Sequence, residues 1–298
     1  MMYDFKILLR GIRRDKTLSI LIIAGLTLAF CVAIPLVCNI KYHKSFDSFH
    51  PDYERIYNVY INEIYHGTRD IYGELPLAFG ESIKELYPEV ETMVRTKDQS
   101  GVLISVDNTQ VWKEDVLWAD PSFRELFYID LIVGDKASLL DNPNDVIISS
   151  SLSGKIFGDI NSVGKNIRID GKEYTISGIF KDYPHNSHMK FSILIPLISR
   201  IPDEEKYEWD SYEFLTYVKL KEETDITGFE NKLQTFLKEF WIPWLKINYN
   251  LDYQVNDENS LKLKLLPVAE IHLHGSFISS FEQESNTSLI KINLVISS

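Results

Sequence analysis

Leu18 to Ile40 form a run of 23 residues without a formal charge, LSILIIAGLTLAFCVAIPLVCNI. As a helix rising about 1.5 Å per residue, the run reaches roughly 34 Å, enough to cross a hydrocarbon core of about 30 Å. A buried helix of a soluble protein is ordinarily shorter and carries a polar face. A cleaved signal peptide has a shorter apolar run followed by an A-x-A site, and neither holds here. A lipoprotein anchor at Cys31 or Cys38 would want a small residue where Phe30 and Val37 stand. The run is therefore expected to be a retained transmembrane helix over 18–40, with Pro35 kinking its outer third.

Charge gives the helix a direction. Residues 1–17 carry five basic side chains (Lys6, Arg10, Arg13, Arg14, Lys16) and two acidic ones (Asp4, Asp15). Taking these from the chain's 31 basic and 43 acidic residues leaves 26 and 41, a net of −15 after the span. Basic residues beside a span stay in the cytoplasm. The N-terminus is thus expected inside the inner (plasma) membrane, and 41–285 outside it. In 1–17, Phe5, Leu8, Leu9 and Ile12 share one helical face bordered by basic residues, which suits an interfacial helix on the inner leaflet. The acidic exterior argues against nucleic acid and against adhesion to anionic lipid. Both cysteines lie in the span, so the outer portion has no disulfide and depends on a hydrophobic core.

After the span, KYHKSFDSFHP is aromatic and polar, as expected at an outer membrane interface. Arg55 to Tyr65 reads as a strand. Leu75 to Val94 reads as a helix broken before Pro88, followed by strands over Val102–Val106 and Gln110–Trp118 around a turn at Asp107-Asn108-Thr109. Asp120-Pro121-Ser122 starts a helix carrying Phe123 and Phe127. Val146–Ser149 is a short strand and Ser151–Phe157 a short helix. Asn166–Ile169 and Glu173–Phe180 flank Asp170-Gly171, the favoured type I′ hairpin loop. A loop over Asp182–His188, a strand over Met189–Leu197 and a polar boundary over 199–211 follow. Tyr212–Leu220 alternates as a strand, and Phe229, Leu233, Phe236 and Leu237 form one helical stripe in Thr227–Phe240. Trp241–Tyr253 is read as irregular and aromatic. Leu261–Leu266 alternates as a strand with lysines on its wet face. Residues 286–298 end in an apolar dozen, read as the truncated beginning of a second membrane helix; the Asn286-Thr287-Ser288 sequon is read as chance.

Catalytic signatures are missing. Gly158 to Lys165 (GDINSVGK) has five residues between its glycines and Asn166 where a P-loop needs Ser or Thr, so it is read as the turn before a hairpin. Neither G-x-S-x-G nor G-x-G-x-x-G occurs. His185 and His188 lie three apart; His272 and His274 lie two apart and could share one side of a strand. Neither pair has a cysteine or E-x-x-H partner, so no metal site, catalytic residue or cofactor site is assigned.

The order of several stretches resembles the MacB/FtsX-like permease subunits of ABC transporters. They are LLRGIRRDKTLSILIIAGLTLAF, FDSFHPDYERIYNV, VLWADPSFRELFYIDLIVGD, VIISSSLSGKIFGD, VGKNIRIDGKEYTISGIFKDYPHNSHMKF and VAEIHLHG. The resemblance implies an α+β fold with one N-terminal transmembrane helix and a two-lobed extracytoplasmic MacB-like core domain. One lobe, of βαβ type and porter-like, would take 48–115 and 210–285; the inserted, mostly β lobe would take 116–209. It further implies a non-enzymatic permease that dimerises with a second copy. A separate cytoplasmic ABC ATPase, which alone binds ATP, would move the outer domain for export or mechanotransmission, with an extracytoplasmic adaptor or substrate protein as a further partner. Family members have at least four membrane helices, and this chain ends at the apparent start of the second. A membrane-anchored extracytoplasmic sensor or ligand-binding module shares the topology. Sequence beyond Ser298 would separate the two, since further spans favour the permease and a kinase-like or cyclase-like domain the sensor.

Overall fold

The computed structural model describes residues 16–106, 110–158, 161–201, 209, 212–251, 253, 260–275 and 278. The expected interfacial helix over 1–15, the turn at 107–109 and the apolar segment 286–298 with its sequon lie outside the described residues, as do parts of the 158–165 turn and of the 199–211 boundary.

Helix α1 spans Lys16–Lys44, 29 residues that continue through Pro35 and bury none of their side chains. Among the described residues it is the one helix long and apolar enough to cross a membrane. Basic Lys41, His43 and Lys44 occupy its last turn, where they complement the negative end of the helix.

The rest of the described chain, from Ser45 on, forms a second unit. Its elements begin with β1 Ile56–Tyr65, β2 Thr68–Tyr72, β3 Glu74–Pro76, α2 Leu77–Leu86, β4 Val90–Val106, β5 Gln110–Ala119 and α3 Phe123–Leu126. There follow β6 Leu131–Val133, β7 Asp145–Ser149, α4 Ser150–Phe157, β8 Asn166–Ile169, β9 Lys172–Phe180 and β10 Ile193–Pro196. The last are β11 Tyr212–Leu220, α5 Ile226–Phe236, a π-helical turn Leu237–Trp241, α6 Ile242–Tyr249, β12 Ser260–Pro267 and α7 Val268–His274.

One part of the sheet runs β12-β1-β11-β4. β1 is antiparallel to both β11 (Asn58 opposite Tyr217) and β12 (Asn58 opposite Leu266). β4 is antiparallel to β11, with Val94 opposite Tyr217, so β1 and β4 run the same way around β11. With α2 between β1 and β4, and α5 between β11 and β12, this is a split β-α-β arrangement. Alternation sends Val59 and Ile61 of β1 and Val218 and Leu220 of β11 to one face. There they meet Phe79 and Ile83 of α2 and the stripe Phe229, Leu233, Phe236 and Leu237. Trp241 is fully buried in this core, its ring 5.6 Å from Phe79.

The remaining strands close a circuit: β4 pairs β5, β5 pairs β10, β10 pairs β7, β7 pairs β9, β9 pairs β8, and β8 returns to β4. Each strand of the ring gives one residue and the next but one to a common interior. The pairs are Val102 and Ile104, Val116 and Trp118, Ile193 and Ile195, Val146 and Ile148, Tyr174 and Ile176, and Ile167 and Ile169. A period of two is the geometric requirement for lining one side of a strand, and the β-branched side chains fill the narrow space. Outside the ring, α3 lays Phe123, Leu126 and Phe127 against Leu117, Ile147, Phe180 and Leu194.

Three local expectations need correction. The helix expected over Leu75–Val94 is confined to Leu77–Leu86, because Tyr87 precedes Pro88 and turns extended, and Val90 already lies in β4. Of the stretch expected to be irregular, Trp241–Tyr249 is helical: the π-helical turn leads into α6, with Pro243 in its first turn and Asn250 at φ 56° closing it. The strand expected over Met189–Leu197 is limited to Ile193–Pro196.

The β8–β9 hairpin is as expected. Asp170 and Gly171 have φ of 46° and 84°, the pair of positive values that a type I′ loop requires. Gly171→Ala places a Cβ in left-handed backbone and is expected to destabilise the outer domain by about 1 kcal/mol, read from urea unfolding.

Candidate functional site

The residues that directly follow α1 are firmly anchored in the outer unit. Ser45 to His50 read SFDSFH, and within them Phe46, Asp47 and His50 are buried. From Ser45 on, the stretch belongs to the folded outer unit. Asp47 adopts left-handed backbone, φ 57°, which a short polar side chain tolerates. Its amide donates to the Asn186 carbonyl at 2.9 Å.

The Asp47 carboxylate collects donors from the loop between β9 and β10. Ser187 Oγ donates to Oδ1 at 2.8 Å, and the His188 amide donates to both oxygens at 3.2 Å. His188 Nδ1 lies 2.9 Å from Oδ2, and its Nε2 lies 2.9 Å from the hydroxyl of Tyr217 on β11. His50 Nδ1 accepts the Tyr128 amide at 3.0 Å, so the neutral ring carries its proton on Nε2, 3.7 Å from Asp47 Oδ1. Asn186 Nδ2 donates to the Ser45 carbonyl at 2.9 Å, and the Phe46 ring stacks on His272 of α7 at 3.4 Å. These bonds explain why Met189 is not in a strand: the backbone at 187–188 is turned toward Asp47.

Electrostatics follow from this geometry. Burial alone would raise the Asp47 carboxyl, but the charge of His188 and the hydrogen bonds of His188 and His50 hold it well below its ordinary value of 3.8. Burial pushes His50 below its ordinary 6.5, against the pull of Asp47. Burial also lifts the Tyr217 phenol well above 10, so it stays protonated. The two low values act in different windows. Unfolded His50 takes up a proton more readily than folded His50, so stability is lost as pH falls through and below 6.5. The Asp47 contribution is whole above 3.8 and is lost further down, as pH falls below it. The melting temperature should therefore drop between about pH 7 and pH 5, with at most about 1.4 kcal/mol per pH unit from His50. His50→Gln, which keeps an acceptor for the Tyr128 amide, should flatten that slope.

A second buried ionic cluster ties the two parts of the sheet together. Arg95 of β4 donates from Nε and Nη2 to the two oxygens of Asp120, at 2.8 and 2.9 Å, and from Nη1 to the Leu77 carbonyl at 2.9 Å. The Arg95 amide also donates to Asp120, at 2.9 Å. Gly80 of α2 makes room for this guanidinium stem, since a Cβ there would meet Arg95 Cδ at 3.3 Å and Met93 Sδ at 3.0 Å.

The histidines weighed as metal ligands are dispersed. His188 belongs to the Asp47 cluster, while His185 is exposed in the same loop. His272 and His274 lie on helix α7, not on a strand, so a spacing of two turns them apart. Among the described residues no group of three or more His, Cys, Asp or Glu side chains could hold a metal. The Asp47 cluster itself went unrecognised in the sequence. Its only local trace is the D-x-x-H of Asp47 to His50, which follows Phe46 and contains Phe49, because His188 and Tyr217 come far later in the chain.

Comparison with known proteins places the fold. A permease-protein domain from Porphyromonas gingivalis superimposes with a TM-score of 0.64 at 21% identity, over 82% of this chain and 98% of that one. The periplasmic region of MacB from Actinobacillus actinomycetemcomitans aligns with a TM-score of 0.47 at 13% identity, over 72% and 90%. The extracellular domain of the noncanonical ABC-type transporter YknZ from Gram-positive bacteria aligns at 0.42 and 13%, over 69% and 99%. No curated protein matches the sequence. The family model of the MacB-like periplasmic core domain matches residues 19–236, well over half of the chain. The apolar helix and the mixed-sheet unit behind it thus make this chain a member of the MacB-like periplasmic core domain family.

Proposed function

We propose that the chain is the N-terminal part of a non-enzymatic ABC transporter permease that relays the work of a cytoplasmic ATPase to its outer domain. In this reading the N-terminus is cytoplasmic, α1 crosses the inner membrane, and a second copy of the permease completes the transporter. An extracytoplasmic adaptor or cargo protein meets the outer domain. The two lobes, 48–115 with 210–285 and 116–209, are the bodies that the relay moves.

The observation that carries the proposal is the anchoring of Ser45–His50. A relay fails if its force-bearing segment ends in a slack linker. Here the first residues after α1 are hydrogen-bonded to the 186–188 loop and, through His188, reach β11. A displacement arriving at Ser45 is passed to the sheet instead of being absorbed by the backbone. The proposal is tested by purifying the full-length permease from its native membranes: a P-loop ATPase should copurify, and its turnover should respond to Asp47→Asn. Repeated purification without any ATPase would overturn the reading.

A further inference from the structure

The face of β1 that carries Val59 and Ile61 into the core continues to a carboxylate. Alternation places Glu63 on that face, opposite Leu261 of β12. Glu63 is half-buried there, and a charge that is partly withdrawn from water is costly without a partner. Glu63 lines a cavity of about 380 Å³ bounded by β1, β2, β3, the start of β11, α6 and β12. That volume lies within the range of about 300–1,000 Å³ typical of small-molecule sites. The floor is aliphatic, with Leu245 of α6 buried beneath it. Tyr72, Tyr249 and Tyr253 stand around it, Glu63 and Glu74 supply the charge, and no lining residue is basic. The Tyr253 hydroxyl donates to Glu63. Among the described residues no lysine, arginine or histidine pairs with Glu63.

We propose that this cavity binds a small organic cation with an apolar, aromatic-sized body, held by the Glu63 and Glu74 carboxylates and the tyrosine rings. An anion would be repelled by the Glu63 carboxylate. A neutral apolar molecule would fill the floor but strip water from Glu63 and return nothing for it. A cation closes both accounts, and tyrosine faces add cation–π attraction that strengthens as water is excluded. The field of the site is visible in its phenols: after burial, the nearby Glu63 carboxylate is the next cause raising the Tyr72 and Tyr253 hydroxyls. The inference goes beyond the relay reading and does not depend on an ATPase, so it stands or falls in the chain alone.

The test titrates the full chain in lipid nanodiscs by calorimetry, with empty nanodiscs as blank. The probe is benzyltrimethylammonium, compared with the neutral 2-methyl-1-phenyl-2-propanol and the anionic 3-phenylpropionate. The cation should bind about tenfold more tightly than the neutral analogue, and the anion should give no saturable heat. Glu63→Gln should lose about tenfold in cation affinity and leave the neutral analogue unchanged. Should that variant lose its fold by circular dichroism, Tyr249→Leu removes a half-exposed ring while keeping an apolar wall, and should weaken the cation alone. Equal affinities for cation and neutral analogue, no saturable cation binding, or unchanged cation affinity in either folded variant would overturn the proposal.

Discussion

Asp47→Ala should destabilise the outer domain by about 3–5 kcal/mol, the range seen when one partner of a buried ionic cluster is deleted. Asp47 is fully buried, and its carboxylate takes the Ser187 hydroxyl, the His188 amide and the His188 ring at once. Alanine leaves these donors in a space that water does not reach, and it also dislikes the left-handed backbone at φ 57°. Asp47→Asn separates the two causes. It tolerates the backbone and keeps one accepting oxygen, but its NH2 replaces the second acceptor, so the charge and one acceptor are lost, and a smaller drop of roughly 1–3 kcal/mol is expected. The measurement is the melting temperature of the full chain in nanodiscs. For a domain of this size, 3–5 kcal/mol corresponds to a fall of roughly 6–20 °C. An alanine variant that melts within about 2 °C of the parent would remove the cluster from the list of structural anchors.

The second large effect is expected at Arg95. Arg95→Met keeps much of the aliphatic stem and deletes the fork that holds both Asp120 oxygens and the Leu77 carbonyl. Asp120 would remain buried with its carboxylate facing the lost charge, and a cost of about 3–5 kcal/mol follows. Arg95→Lys should recover only part of it, since a point ammonium cannot bridge Asp120 in two-pronged fashion and still reach α2. The double variant Arg95→Met with Asp120→Leu should be more stable than Arg95→Met alone, because no unpaired charge then remains. Urea midpoints of the four proteins decide this, and a double variant no better than the single one would show that the arginine acts only by filling space.

Much of the fold is written in local pattern. The alternation in Tyr212–Leu220, the Asp170-Gly171 loop and the Phe229, Leu233, Phe236 stripe each needs only neighbours in sequence to be read, and each lies where the pattern puts it. The long apolar run is likewise self-evident, though its helix extends beyond 18–40 to Lys16–Lys44. What pattern does not carry is partnership across distance. Nothing near Ile104 tells that it faces Ile169 in a closed ring. Nothing near Asp47 points to a histidine 141 residues later. Val90–Val94 looked helical because apolar residues there also match a helical period, and Pro88 decides for extension. Trp241–Tyr253 looked irregular because its aromatics follow no stripe: Trp241 is buried, Trp244 partly so, and Phe240 and Tyr249 are exposed, so composition hid the helix.

β1 lies between β11 and β12, strands that leave the ribosome long after it. Until they emerge, β2 alone covers β1, over Ile61–Tyr65, while the Ile56–Val59 stretch that β11 takes and the whole β12 margin stay bare, and the intervening ring must mature first or stay out of the way. Closing such distant pairings is slow, because a long loop is given up before any contact rewards it. Biogenesis of this protein is accordingly a late-closing event, most exposed to aggregation just before residues 260–267 emerge.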